Sequence, residues 1–356
     1  MPFLLLLLCL SAPLTAPAGE PMRPAVPGAA APFQSWTPLL RASAAGKEQE
    51  VRRLLRRGAR VDGRDEERRT ALIYAAMYGH LAVARRLVRA GADLETRDLG
   101  GNTALHWAAW RGHADLVDWL ARQGAPLDAL AVDRQTPLHR AARYGFTAAA
   151  EALLRHGAKA DLYDQDGLTP LMVAIRHGQH GFAKRLLEQG ADADLADPQG
   201  RTALWMAIAA GDDEGARLLL SYGDRLDATD RSGLTLVHLA ARNGLREILE
   251  RLLARGAPLD RPALDSGDTP LHLAAARGHA GIVRTLLEQG AARDRKNRFG
   301  DTPLHLAAAQ GHGEVVRLLI GFGARRDLRN ALGETPADAA AHHGHEAVAR
   351  LILEGG

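Results

Sequence analysis

Thr269-Pro270-Leu271-His272-Leu273-Ala274-Ala275 returns as Thr302-Pro303-Leu304-His305-Leu306-Ala307-Ala308, 33 residues further on. The same threonine recurs outward from this pair. Toward the N-terminus it stands at Thr235, Thr202, Thr169, Thr136, Thr103, Thr70 and Thr37, and beyond the pair at Thr335. Every interval is 33 residues except the 34 before Thr269, where the extra residue is expected around Arg261-Pro262. A fixed period of this length signals a repeat architecture, in which one unit is too small to bury a core alone and must stack on its neighbours.

Each unit reads as two short helices and a turn. Threonine is a good N-cap because its hydroxyl accepts a bond from an otherwise orphaned helical N–H. Proline follows at the first helical position in six units (Pro38, Pro137, Pro170, Pro270, Pro303, Pro336), where its missing N–H costs nothing. Nine residues after each threonine stands a glycine: Gly46, Gly79, Gly112, Gly145, Gly178, Gly211, Gly244, Gly278, Gly311 and Gly344. That spacing predicts a left-handed helix stop. A second helix follows with a buried stripe, such as Val51, Leu54 and Leu55, or Val315, Leu319 and Ile320. It stops at a second glycine, as in Gly58-Ala59, Gly91-Ala92 and Gly290-Ala291, and an Asp-rich turn such as Asp164-Gln165-Asp166-Gly167 leads to the next threonine.

The Thr-Pro-Leu-His-Leu-Ala-Ala stretches, the Gly-His pairs and the Gly-Ala stops resemble the ankyrin repeat. The resemblance covers residues 36–356 as ten repeats and implies an all-α repeat solenoid, a stack of helix-turn-helix units with β-hairpin fingers. It also implies that His106, His139, His238, His272 and His305 hydrogen-bond the backbone between neighbouring repeats, a structural role. His80, His113, His279, His312 and His345 open second helices. The end repeats read as caps: the first has Leu40 at the histidine position and Arg52, Arg53, Arg56 and Arg57 on its second helix, and the last has Asp338.

The 356 residues are 46% hydrophobic and 24% charged, which excludes a mainly disordered chain, a collagen and a multi-span membrane protein. Aromatics are only 4%, so the core must be layers of Leu, Ala and Val, with Trp107, Trp119 and Trp205 among its larger members. Residues 1–18 read as a signal peptide, with an apolar run from Leu4 to Leu10 and a cleavage pattern at Ala16-Pro17-Ala18, although no Lys or Arg precedes the run. The alternatives are a mis-assigned start, a short anchor, or lipidation at Cys9, the single cysteine. Residues 19–35 read as a Pro/Ala-rich flexible lead-in. The expected location is periplasmic or secreted, or cytoplasmic or host-injected if the apolar start is not a signal.

The net charge of +3 is too small to argue for nucleic acid by itself. Arginine greatly outnumbers lysine, which appears only at Lys47, Lys159, Lys184 and Lys296. Arginines such as Arg85, Arg86 and Arg89 read as solvated outer faces of second helices. There is no nucleophile elbow, phosphate loop, dinucleotide glycine pattern or zinc-protease motif, so no catalytic site, cofactor, metal site or small-molecule substrate is expected.

The resemblance implies partner binding on the concave face, formed by fingers and first helices. There the residues just before each first-helix glycine vary. Tyr78, Trp110, Arg111, Arg143, Tyr144, Arg176 and His177 form one band over repeats two to five, and Arg242 is a further candidate. Aromatics and arginines dominate interface hot spots. Asn102, Gln135, Arg201, Phe299 and Asp301 are expected as a polar rim. The expected function is a non-enzymatic, monomeric scaffold or adaptor binding a protein with an acidic patch, with no membrane as a partner once the signal is removed. The alternative is a binder of an anionic polymer, such as nucleic acid or an envelope polyanion.

Overall fold

The structure is a computed structural model that describes residues 36–223 and 225–354. The signal-peptide, lead-in and Cys9 readings lie outside the described residues. Two compact units divide the chain, the first ending at Leu195 and the second beginning at Ala196.

The first unit contains α1 (Pro38–Ala44), α2 (Glu48–Arg56), α3 (Ala71–Met77), α4 (Leu81–Arg89), α5 (Ala104–Trp110), α6 (Ala114–Arg122), α7 (Pro137–Tyr144), α8 (Thr147–Arg155), α9 (Pro170–Arg176) and α10 (His180–Glu188). The second contains α11 (Ala203–Ala210), α12 (Asp213–Leu220), α13 (Leu236–Asn243), α14 (Arg246–Ala254), α15 (Pro270–Ala276), α16 (Ala280–Glu288), α17 (Pro303–Ala309), α18 (Gly313–Gly321), α19 (Pro336–His342) and α20 (Glu346–Glu354). Odd-numbered helices are the first of each repeat, and within each unit they pack side by side; even-numbered helices also pair, as α2 with α4 and α6 with α8. Every first helix is capped by its threonine. All ten first-helix glycines have positive φ, between 66° and 81°.

First helices are buried almost all round, so their neighbours must be small where they meet. Ala108, Ala109, Ala141 and Ala142 are all 0% exposed. Second helices bury one stripe, such as Val83, Ala84 and Leu87 of α4. Truncating a fully buried leucine such as Leu87 to alanine would cost about 2–5 kcal/mol. Trp107, Trp119 and Trp205 are half-buried rather than core. Trp205 stands at the histidine position, and its indole N–H reaches Leu234 O at 3.5 Å.

The histidines tie repeat to repeat as the resemblance implied. Thr103 N–H donates to His106 Nδ1 at 3.1 Å, and His106 Nε2 lies 3.1 Å from Gln135 O. A backbone N–H can only donate, so Nδ1 accepts, the proton sits on Nε2, and the ring is neutral. Burial holds it so, pushing the His106 pKa down to about 3 and that of His238 to about 4. His139, His272 and His305 repeat the pattern onto Leu168 O, Asp301 O and Glu334 O. His80, His113, His279 and His312 point the other way, to carbonyls at the end of the preceding first helix. Their rings lie on the preceding glycine: a Cβ on Gly79 would meet His113 at 2.7 Å. That close approach, besides the backbone angle, requires glycine there.

The fingers differ from expectation. Among the described residues there is no strand, only isolated bridges at Ala196–Thr202 and Thr229–Thr235. A finger is a tight turn: Gly101 N–H donates to Asp98 O and Asp98 N–H to Asn102 O, both at 3.0 Å. The next backbone bond goes sideways instead of extending a hairpin ladder. Leu99 N–H reaches Glu67 O, Val132 N–H reaches Gly100 O and Gln165 N–H reaches Asp133 O. In the second unit Leu264, Arg298 and Ala331 donate likewise to Ser232, Ser266 and Phe299. The inserted residue also lies in a finger and not at Arg261-Pro262. Gly267 N–H reaches back four residues, to Ala263 O, where Gly300 reaches back three, to Asn297 O.

Candidate interaction surface

The C-terminal ends of α3, α5, α7 and α9 carry the band. Tyr78, Arg111 and His177 are the residues that cap these helices, and Trp110, Tyr144 and Arg176 are the last helical ones. The 33-residue period places them at one height on neighbouring helices. Tyr78, Trp110, Arg111, Tyr144 and His177 are half-buried, while Arg143 and Arg176 are exposed.

Trp110 is the centre of a packed cluster. Its ring stacks on Trp107 with centroids 4.7 Å apart and planes 22° apart. The guanidinium of Arg111 lies 5.8 Å from the Trp110 ring centre, and that of Arg140 lies 5.1 Å away. At such distances a cation is attracted to the electron-rich ring face. Burial pushes the Arg111 pKa down while the nearby Tyr144 and Tyr78 oppose the shift, and burial pushes Tyr78 up. Burial, with Arg143 and Arg176 nearby, pushes His177 down and favours its neutral form. Arg176 lies 3.9 Å from Asp166, and no described carboxylate pairs with Arg143. Tyr144 packs on Phe146 at 5.9 Å.

The floor of the cluster was not read from the sequence. Arg140 is only 8% exposed. It donates to Gln135 Oε1 at 3.0 Å, Asn102 Oδ1 at 3.0 Å and Asp133 Oδ1 at 3.2 Å, so one side chain binds two fingers to one ring. Trp107 Nε1 donates to Asp98 Oδ2 at 2.8 Å. The available signal was the residue following each histidine position: Tyr74, Trp107 and Arg140 depart from the leucine of later repeats.

The rim is not uniformly polar or open. Asn102 is buried against Asp98, and Phe299 is 60% exposed. Arg242 belongs to the second unit, where burial pushes its pKa down, with Arg277 and Asp230 nearby and its carbonyl facing His279. No helix among the described residues is long and apolar enough to cross a membrane.

Paired helices recurring at this period define a helical-repeat protein. Family models described as ankyrin repeats match residues 39–88, 72–121, 151–230, 224–297 and 289–356, and a single ankyrin repeat matches 133–165. The chain belongs to the ankyrin-repeat family. No curated protein matches it. Ankyrin repeats indicate a scaffold for protein–protein interaction and are typically non-enzymatic.

Proposed function

We propose that this chain is a non-enzymatic adaptor whose first unit binds an acidic region of a partner protein through Tyr78, Trp110, Arg111, Arg143, Tyr144, Arg176 and His177. The observation that carries this reading is Trp110, half-buried with two guanidinium groups and a second indole against it. A rigid aromatic anchor ringed by cations suits carboxylate-rich segments with apolar side chains between the acids.

The test is capture of a binding protein, followed by titration with a Trp110→Ala/Arg143→Ala/Tyr144→Ala variant. The expected loss is at least about 30-fold, as for a hot-spot cluster worth about 2 kcal/mol or more. Equal affinity would move the site elsewhere. We further propose export to a periplasmic or secreted location, with cleavage after Ala18. The mass of the mature chain tests this: a start at Gly19 supports it, and an intact Met1 overturns it.

A further inference from the structure

A second surface of the first unit is charged in a way that the partner-binding band does not use. The outer side of α2 carries Arg52, Arg53 and Arg56, with Arg57 following, and a shallow groove runs between them and Gln49. One period later α4 carries Arg85, Arg86 and Arg89 at the same register. The two helices are packed together. Their only carboxylates are already taken: Glu50 pairs with Arg53 at 2.5 Å and Glu48 with Arg86 at 2.8 Å. Arg52, Arg56, Arg57, Arg85 and Arg89 have no carboxylate partner among the described residues, and all are exposed or half-exposed.

Arginine-rich composition does not account for this. On the neighbouring second helices the same residue type is neutralised. Asp118 of α6 pairs with Arg122 at 2.7 Å, Arg155 at 3.1 Å and His156 at 3.0 Å. Arg185 of α10 pairs with Glu151 at 2.6 Å and Glu188 at 2.8 Å. Within the first unit the excess is therefore confined to two helices. Five like charges held together repel one another, and an anionic counter-surface relieves that repulsion.

We propose that the outer face of α2 and α4 docks on the anionic headgroups of a lipid bilayer. The charges form a block, two helices wide and about two turns long, which matches a plane of headgroups. They do not form a track for a linear polymer. Asp115 and Asp118 on α6 interrupt any path along the second helices, and no aromatic side chain on α2 or α4 offers a base a stacking surface. Each arginine near an anionic membrane contributes a factor of about five in affinity, weakened by salt.

The test is sedimentation of the full chain with vesicles one-third phosphatidylglycerol and two-thirds phosphatidylcholine, against phosphatidylcholine alone. The difference between the two is the readout, so that any apolar contribution from Leu4–Leu10 cancels. The native chain is expected to bind the anionic vesicles, less so at high salt. An Arg52→Gln/Arg56→Gln/Arg85→Gln/Arg89→Gln variant should lose about 600-fold in affinity at low salt while melting at the native temperature. The corresponding Arg→Lys variant should bind within a few-fold of native, because a headgroup plane reads charge more than fork geometry. An Arg143→Gln/Arg176→Gln variant should bind vesicles as the native chain does. Absence of phosphatidylglycerol-dependent binding, its retention in the glutamine variant, or an equal loss in the Arg143/Arg176 variant would overturn the proposal. So would tighter binding to inorganic polyphosphate than to the vesicles, which would assign the face to a linear polyanion.

Discussion

Backbone bonds link neighbouring fingers in both units, but the side chains that brace them come from the first helices in the early repeats and from the fingers themselves in the late ones. Tyr74 donates its hydroxyl to Asp65 Oδ2 at 2.6 Å, Trp107 its indole N–H to Asp98 Oδ2 at 2.8 Å, and Arg140 spans Asn102, Gln135 and Asp133. At the equivalent helix positions the late repeats have Leu273 and Leu306. There Asn297 Nδ2 donates to Asp268 Oδ1 at 2.8 Å, and Asn330 Nδ2 to Asp301 Oδ1 at 2.9 Å. One backbone plan thus accepts two kinds of brace. In the first unit the bracing side chains are also the floor of the candidate surface, so rigidity and recognition share residues. In the second unit the brace lies within the fingers, and Ala276 and Ala309 occupy the places of Trp110 and Arg143.

Acid is expected to separate the two units most strongly. The five bridging histidines are neutral in the fold, with His106 at about 3 and His238 at about 4, against about 6.5 in the unfolded chain. Their stabilisation is complete above that unfolded value. Below it the unfolded chain takes up protons that the fold refuses, so stability falls by about 1.4 kcal/mol per pH unit per histidine until the folded pKa is reached. The first unit holds His106 and His139, together with His113 and His177, whose pKa burial also lowers; the second holds His238, His272 and His305. Hydrogen exchange at falling pH, corrected for intrinsic rates, should show the first unit, with the larger set of such histidines, losing protection first. Simultaneous loss would break the comparison.

Arg140→Met should cost about 2–3 kcal/mol in urea unfolding, because it leaves Asp133 and Asn102 without their buried partner. Leu306→Met, at the matching position of the second unit, should cost under about 1.5 kcal/mol. Equal costs would mean that the early brace is idle. Trp107→Phe, which removes the indole donor but keeps a ring, should cost about 1 kcal/mol. The smallest effect is a gain. Arg134 has φ of 57°, and Arg68 φ of 59°, where the other fingers use glycine, so Arg134→Gly should raise stability by about 1 kcal/mol. An unchanged melting temperature would show that the early fingers carry no such strain.

The period, the threonine caps and the glycine stops were legible because each is a local demand of the backbone. A side-chain oxygen is needed where a helix starts, and positive φ where it ends. The fingers were misjudged for the opposite reason. Whether Leu99 N–H bonds along its own hairpin or across to Glu67 depends on the neighbouring finger 32 residues away. Trp107 looked like core because an indole is mostly apolar, yet Asp98 draws its N–H to the finger side. Seven of the eight candidate contact residues were placed together by arithmetic on the period. Arg140 escaped because it follows a core histidine, and only the distances to Trp110, Asn102 and Asp133 reveal its use.

The histidine bridges have an electrical consequence. His238 donates to Asp268 O, and the same peptide group donates from Thr269 N–H to His272. His272 continues to Asp301 O, Thr302 N–H to His305, and His305 to Glu334 O. Thr335 N–H then donates to the carboxylate of Asp338. Imidazoles and peptide planes alternate in one polarised line with all its dipoles in the same sense and an anion at its receiving end. Each bond in such a line strengthens the next. A proton added to any one ring nitrogen that now accepts would reverse a single link and set it against every other, so the line holds or fails as a circuit does, in series.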